Sequence, residues 1–163
     1  MFLRMIVVKG FSLIELLVTL MILSILATAA LPFVETTVVR SKELELHSSL
    51  RDVRIAIDNF HDDWVTGKIS KTNANVSEDG YPRTLQILVD GVVGSDAKGK
   101  KRRYLRRIPR DPFAEQDKSP LENWRVRSYQ DEVDSIVWGR GDVYDIQSMS
   151  DKTALDGTLY KNW

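Results

Sequence analysis

The chain has 163 residues, room for one ordinary domain with a modest core. Its 23 Lys plus Arg balance 23 Asp plus Glu, so bulk charge gives no reason to expect a nucleic acid or an acidic substrate as partner. The absence of cysteine excludes disulfides, thiolate zinc sites and cysteine nucleophiles, and it leaves the compartment open, because an oxidising space permits disulfides without requiring them.

From Leu16 to Val34 there are nineteen residues without a charge. At roughly 1.5 Å per helical residue they approach the ~30 Å hydrocarbon thickness of a bilayer, so a membrane span is expected. Extending the stretch back to Phe11 takes in Glu15. A lone carboxylate in lipid costs about 2.5 to 3.5 kcal/mol at a helix centre, and less toward the interface, so Glu15 needs a partner or a task. A cut after Gly10 would create an α-amino group on Phe11, in an i, i+4 relation to Glu15. The same amine could instead neutralise Glu15 of a neighbouring subunit and fix the axial offset between packed helices. Pro32 lies inside the helical run, lacks an N–H, and predicts a kink or a short melted stretch there.

Lys9 to Glu15 read KGFSLIE, and here the sequence resembles the type IV pilin and pseudopilin superfamily. That family has a short basic leader, a glycine before the cut, an aromatic first mature residue, Ser or Thr next, and a glutamate fifth. Gly10, Phe11, Ser12 and Glu15 fill those positions, with Arg4 and Lys9 supplying the leader's positive charge. The resemblance implies cleavage by a prepilin peptidase between Gly10 and Phe11, N-methylation of Phe11, and an assembly role for Glu15. A rival reading is an ordinary secretory signal peptide with Ala27-Thr28-Ala29 as cleavage site, which leaves Glu15 unexplained. A plain single-pass anchor is a further alternative.

Past Glu35, the apolar residues Leu46, Leu50, Val53, Ile57, Phe60 and Trp64 recur at spacings of three and four, one face of a helix that continues out of the membrane. Glu43, Glu45, Arg51, Asp52, Arg54, Asp58, Asp62 and Asp63 form the charged opposite face, suited to water or to a neighbouring subunit. Residues 67–80 read as a polar loop. Tyr81-Pro82 is expected to start a short helix ended by Asp90-Gly91. The stretch Tyr104 to Phe113, with two prolines, reads as an extended, rigid link. Trp124 to Gln130 alternates as a strand, with Asp134 to Trp138 and Asp142 to Ile146 as weaker candidates. The fold class expected is α+β: a long kinked N-terminal helix packed against a small antiparallel sheet. Its divisions are a leader at 1–10, a membrane and filament-core helix at 11–34, and a globular domain at 35–163.

The later chain separates its charges. Lys98, Lys100, Lys101, Arg102, Arg103, Arg106, Arg107 and Arg110 form a basic run, and Asp131, Glu132, Asp134, Asp142, Asp145, Asp151 and Asp156 follow. The run is a solvated loop, a surface for the acidic patch of an adjacent subunit, or a nucleic-acid patch. The last lacks an aromatic stacking platform. The tail from Tyr144 to Thr158 resembles the region where major pseudopilins bind calcium, although Met149, Ser150 and Lys152 interrupt the family pattern. Asp151 and Asp156 are the side chains that resemblance points to as ligands, with backbone carbonyls completing the number. The alternative is a turn in which Asp side chains accept backbone N–H bonds. No catalytic arrangement emerges: His47 and His61 lie fourteen residues apart on the long helix, about 21 Å, too far to share a metal.

The blocks at Tyr81-Pro82 and at Tyr104 to Phe113 make the chain most similar to the major pseudopilin of type II secretion systems. That implies a non-enzymatic subunit of a helical homo-oligomer, with prepilin peptidase, an inner-membrane assembly platform and minor pseudopilins as partners. The globular part would face the periplasm, and filament growth would drive protein export. The alternative is a type IV pilin for adhesion, motility or DNA uptake. Tip subunits often lack the fifth-position glutamate, so Glu15 suits a major subunit.

Overall fold

The computed structural model describes residues 10–163 except 96–98, 116, 133, 134 and 136, and of 29–32 it describes the backbone alone. Arg4, Lys9, Lys98 and Asp134 therefore lie outside the described residues. The chain falls into two compact units, one ending at Val39 and one running from Arg40 to Trp163.

Helix α1 spans Leu13–Val65. Its first hydrogen bond runs from the Leu16 N–H to the Ser12 carbonyl, so Phe11 lies just outside the first turn. The apolar run propagates it through Pro32 without interruption. Among its described residues the first unit buries almost nothing: the large apolar side chains from Leu13 to Leu26 are each at least 48 % exposed. Among the described residues α1 is the one helix long and apolar enough to cross a membrane.

In the second unit the same helix buries the stripe that the periodicity marked. Leu46, Leu50, Val53, Ile57 and Phe60 are at most 2 % exposed, and Trp64 is half-buried. They share one core with Leu85, Leu88, Val92, Ile146 and Tyr160, and with Ile69 and Val76, two apolar residues of the polar loop. The charged face divides, which corrects the expectation that it faces outward as a whole. Arg51, Asp52, Asp58 and Asp62 are exposed, whereas Glu43, Arg54 and Asp63 turn onto their own domain. At about 100° per residue Asp63 shares its angle with the exposed Glu45, so what turns these three inward is a partner within reach of each: Tyr160 for Glu43, Asp145 for Arg54 and Tyr104 for Asp63.

Helix α2, Leu85–Asp90, starts later than Tyr81-Pro82 suggested. Thr84 is extended, Pro82 pairs with Val76 in an isolated bridge, and the Pro82 carbonyl accepts the Val143 N–H at 2.7 Å, so this dipeptide belongs to extended chain. Gly91 ends α2 at φ 78°, and a Cβ there would lie 2.3 Å from the Arg102 carbonyl oxygen. That close approach brings in an unforeseen hairpin, β1 (Val92–Val93) against β2 (Lys101–Arg102).

The principal pair is β3 (Trp124–Arg127) antiparallel to β4 (Asp145–Ser148), in register Trp124 with Ser148 and Arg127 with Asp145. Among the described residues the strands form two two-stranded antiparallel sheets, β1–β2 and β3–β4. The candidate strand Asp134 to Trp138 falls partly outside the described residues. The last strand begins at Asp145, because Asp142 is engaged otherwise: its carboxylate accepts the Tyr129 N–H at 2.9 Å, and its carbonyl accepts Ser128 Oγ and Trp138 Nε1. The link from Tyr104 to Phe113 is extended and anchored. The Tyr104 and Leu105 N–H groups donate to the Leu88 carbonyl, and Trp124 Nε1 donates to the Pro109 carbonyl at 2.9 Å. The architecture is α+β, a long helix packed with small antiparallel sheets, as in the pilin-like fold.

Candidate processing and assembly segment

Gly10 and Phe11 precede α1 as exposed, non-helical chain, with the Phe11 side chain 78 % exposed. A Cβ added at Gly10 would meet nothing within 4 Å, and its backbone is not in the left-handed region. Among the described residues, neither packing nor backbone strain therefore requires glycine at this position.

Between Leu13 and Val34 the polar side chains are Glu15, Thr19, Ser24 and Thr28. The hydroxyls are satisfied within the helix: Thr19 donates to the Leu16 carbonyl, Ser24 to Leu20 and Thr28 to Ser24, all at 2.8–2.9 Å. Glu15 is exposed and makes no hydrogen bond or ion pair among the described residues. The segment thus presents one polar group without a partner, one turn past the Gly10–Phe11 junction. Pro32 is helical in backbone, and it has no N–H to give the Thr28 carbonyl.

The remaining sites suggested by the sequence separate. Asp151 pairs with Lys161 at 2.9 Å, and this bond holds its carboxyl below the usual range. Asp156 accepts the Thr158 N–H at 2.9 Å and the Thr158 hydroxyl at 2.7 Å, which likewise depress its pKa. Among the described residues no three His, Asp or Glu side chains are grouped to hold a metal ion. His47 stacks on Trp163 and His61 on Tyr81, each in its own aromatic environment. Of the basic run, Arg102 pairs with Asp63 at 3.3 Å, and Arg110 donates to the Lys118 carbonyl. Arg103, Arg106 and Arg107 are exposed, with no ion pair among the described residues. Arg106 and Arg107 border an open groove of about 650 Å³ that Glu45 and Ser49 of α1 also line.

In sequence, Glu43, Arg54 and Asp63 are charges like their neighbours. Their partners Tyr160, Asp145 and Tyr104 lie far along the chain, so no local pattern marks them.

Residues 5–31 match the family model of the prokaryotic N-terminal methylation motif, a stretch that includes the Gly10–Phe11 junction and Glu15. No curated protein and no solved structure matches the chain. The matched motif is that of prepilin-type processing, and the helix that carries it is long and apolar enough to cross a membrane.

Proposed function

We propose that the chain is a structural subunit of a type II secretion pseudopilus, most similar to its major subunit. Prepilin peptidase removes residues 1–10 and the new amino terminus at Phe11 is methylated. Residues 11–34 wait in the inner membrane with 35–163 in the periplasm. Subunits then pass into a helical filament on an inner-membrane platform, with minor pseudopilins at its tip, and filament growth drives export. The observation that carries this reading is Glu15, an unpartnered carboxylate on an otherwise self-satisfied apolar helix, one turn beyond a junction whose glycine the fold does not require. An α-amino group from the same or a neighbouring chain supplies the missing cation.

N-terminal sequencing and intact mass of the membrane-extracted protein test the processing. A start at methylated Phe11 supports it, whereas a start near Ala30 or an uncut Met1 overturns it. Deleting the gene then divides the two filament types, because loss of secretion with surface pili intact supports the pseudopilus, and the reverse supports a type IV pilin.

A further inference from the structure

The segment from Met149 to Trp163 is fastened to α1 by three side chains. The Glu43 carboxylate accepts the Leu155 N–H at 2.8 Å and the Tyr160 hydroxyl at 3.0 Å. Arg54 donates Nη2 to the Trp163 carbonyl at 2.6 Å and to the Ile146 carbonyl at 3.1 Å, and its Nε meets Asp145 Oδ1 at 2.8 Å. The His47 imidazole stacks on the Trp163 indole, with centroids 4.1 Å apart and planes 15° from parallel. Positions 43, 47 and 54 fall within an arc of about 40° on α1, so they form a single stripe beside the apolar one.

The segment is also tied to itself. Thr153 and Leu159 form an antiparallel bridge, Asp156 closes the turn onto Thr158, and Trp163 Nε1 donates to Thr158 Oγ1 at 2.7 Å. Tyr160 is 1 % exposed and stacks on Phe113 at 4.0 Å. Burial first, and then the Glu43 carboxylate, push the Tyr160 hydroxyl up to about 12, so it stays a donor across the ordinary pH range.

This is the segment for which the resemblance to major pseudopilins implied calcium. One oxygen of each carboxylate is engaged: the Lys161 ammonium meets Asp151 Oδ1, and the Thr158 N–H and O–H both meet Asp156 Oδ1. A cation binding here would compete with an ammonium at one carboxylate and with a turn's hydrogen bonds at the other.

We propose that Glu43, His47 and Arg54 form a protein-built clasp that does for this segment what a divalent cation does elsewhere, so that its order is independent of calcium. The clasp lies wholly within the unit Arg40–Trp163, and it stands whether or not the chain assembles into a pseudopilus. Hydrogen exchange on the full chain in detergent, with added calcium or with EDTA, tests it. The expected result is the same protection of residues 149–163 in both conditions. Glu43→Ala and Arg54→Met should each raise exchange there by roughly tenfold or more while leaving residues 46–60 protected. Wild-type protein whose segment loses protection in EDTA and regains it with calcium overturns the proposal. So do folded variants with unchanged exchange in the segment. Should either variant fail to fold, the wild-type comparison decides alone.

Discussion

The Tyr104 hydroxyl donates to the Asp63 carboxylate at 3.0 Å, joining the last turns of α1 to the link that leads toward β3. Lys68 at 2.8 Å and Arg102 at 3.3 Å converge on the same carboxylate. Burial alone would raise Asp63. The hydrogen bonds from Lys68 and Tyr104 and the charges of Lys68 and Arg102 outweigh it and hold the group below its ordinary value of 3.8. Burial, and next Asp63 itself, push Tyr104 upward. Asp63→Ala should therefore cost about 2 kcal/mol in urea denaturation at neutral pH, since it leaves a half-buried phenol and two cations without their acceptor. The sign of the pH dependence follows from a depressed folded pKa. The stabilisation is present above 3.8 and is lost as pH falls through the folded value, so parent and variant should converge in acid.

Two glycines with nearly the same φ differ in what a side chain would meet. Gly67 and Gly91 have φ of 75° and 78°, but a Cβ at Gly67 meets open space, whereas at Gly91 it meets the Arg102 carbonyl at 2.3 Å. Gly67→Ala should cost about 1 kcal/mol of left-handed strain. Gly91→Ala should cost clearly more, because backbone must move and the β1–β2 hairpin moves with it. Thermal melting of the two variants side by side checks this, and equal losses would show that the hairpin yields freely.

At the amino terminus, processing and assembly should respond separately. Gly10→Val enters open space, so the domain should fold normally while the precursor mass persists in membranes. Glu15→Ala should keep insertion and cleavage, since it removes a polar group from an apolar helix, and should impair filament formation in a cross-linking assay. Normal assembly by that variant would refute the pairing of Glu15 with an α-amino group.

Arg106 and Arg107 are exposed without an ion pair among the described residues, so reversing their charge should cost the isolated domain little, within about 0.5 kcal/mol. If they meet the acidic surface of a neighbouring copy, Arg106→Glu with Arg107→Glu should weaken assembly. Assembly of the parent should also fall as salt rises. A double variant that assembles at the parental rate assigns these arginines to solvent alone.

Much of this fold was legible because burial along a helix writes itself as a period. The stripe from Leu46 to Phe60 needed only spacing to be read, and all five of its residues are buried. The hairpin of Val92–Val93 with Lys101–Arg102 left no such trace, since two-residue strands are too short to alternate and the pairing is enforced at Gly91. Asp142 looked like part of a strand, but its side chain bonds the backbone of Tyr129, an alternative that local sequence does not rank against a ladder. Ile69 and Val76 were hidden by their polar neighbours. The segment around Gly10 was the most legible part of the candidate site, because its motif is linear sequence, matched by the family model over residues 5–31, and no folding intervenes. The clasp was the least, since Glu43 meets Tyr160 across 117 residues of chain.

The self-bonded hydroxyls of Thr19, Ser24 and Thr28 bear on how α1 responds to its surroundings. A helix whose polar groups are closed internally is nearly indifferent between hydrocarbon and a bundle of similar helices, because neither offers it hydrogen bonds it lacks. Glu15 breaks that indifference. One carboxylate then decides the partition: it weighs against lipid and in favour of any packing that delivers a cation. If the chain assembles as proposed, the membrane would act as a reservoir that a subunit leaves once a neighbour offers such a cation.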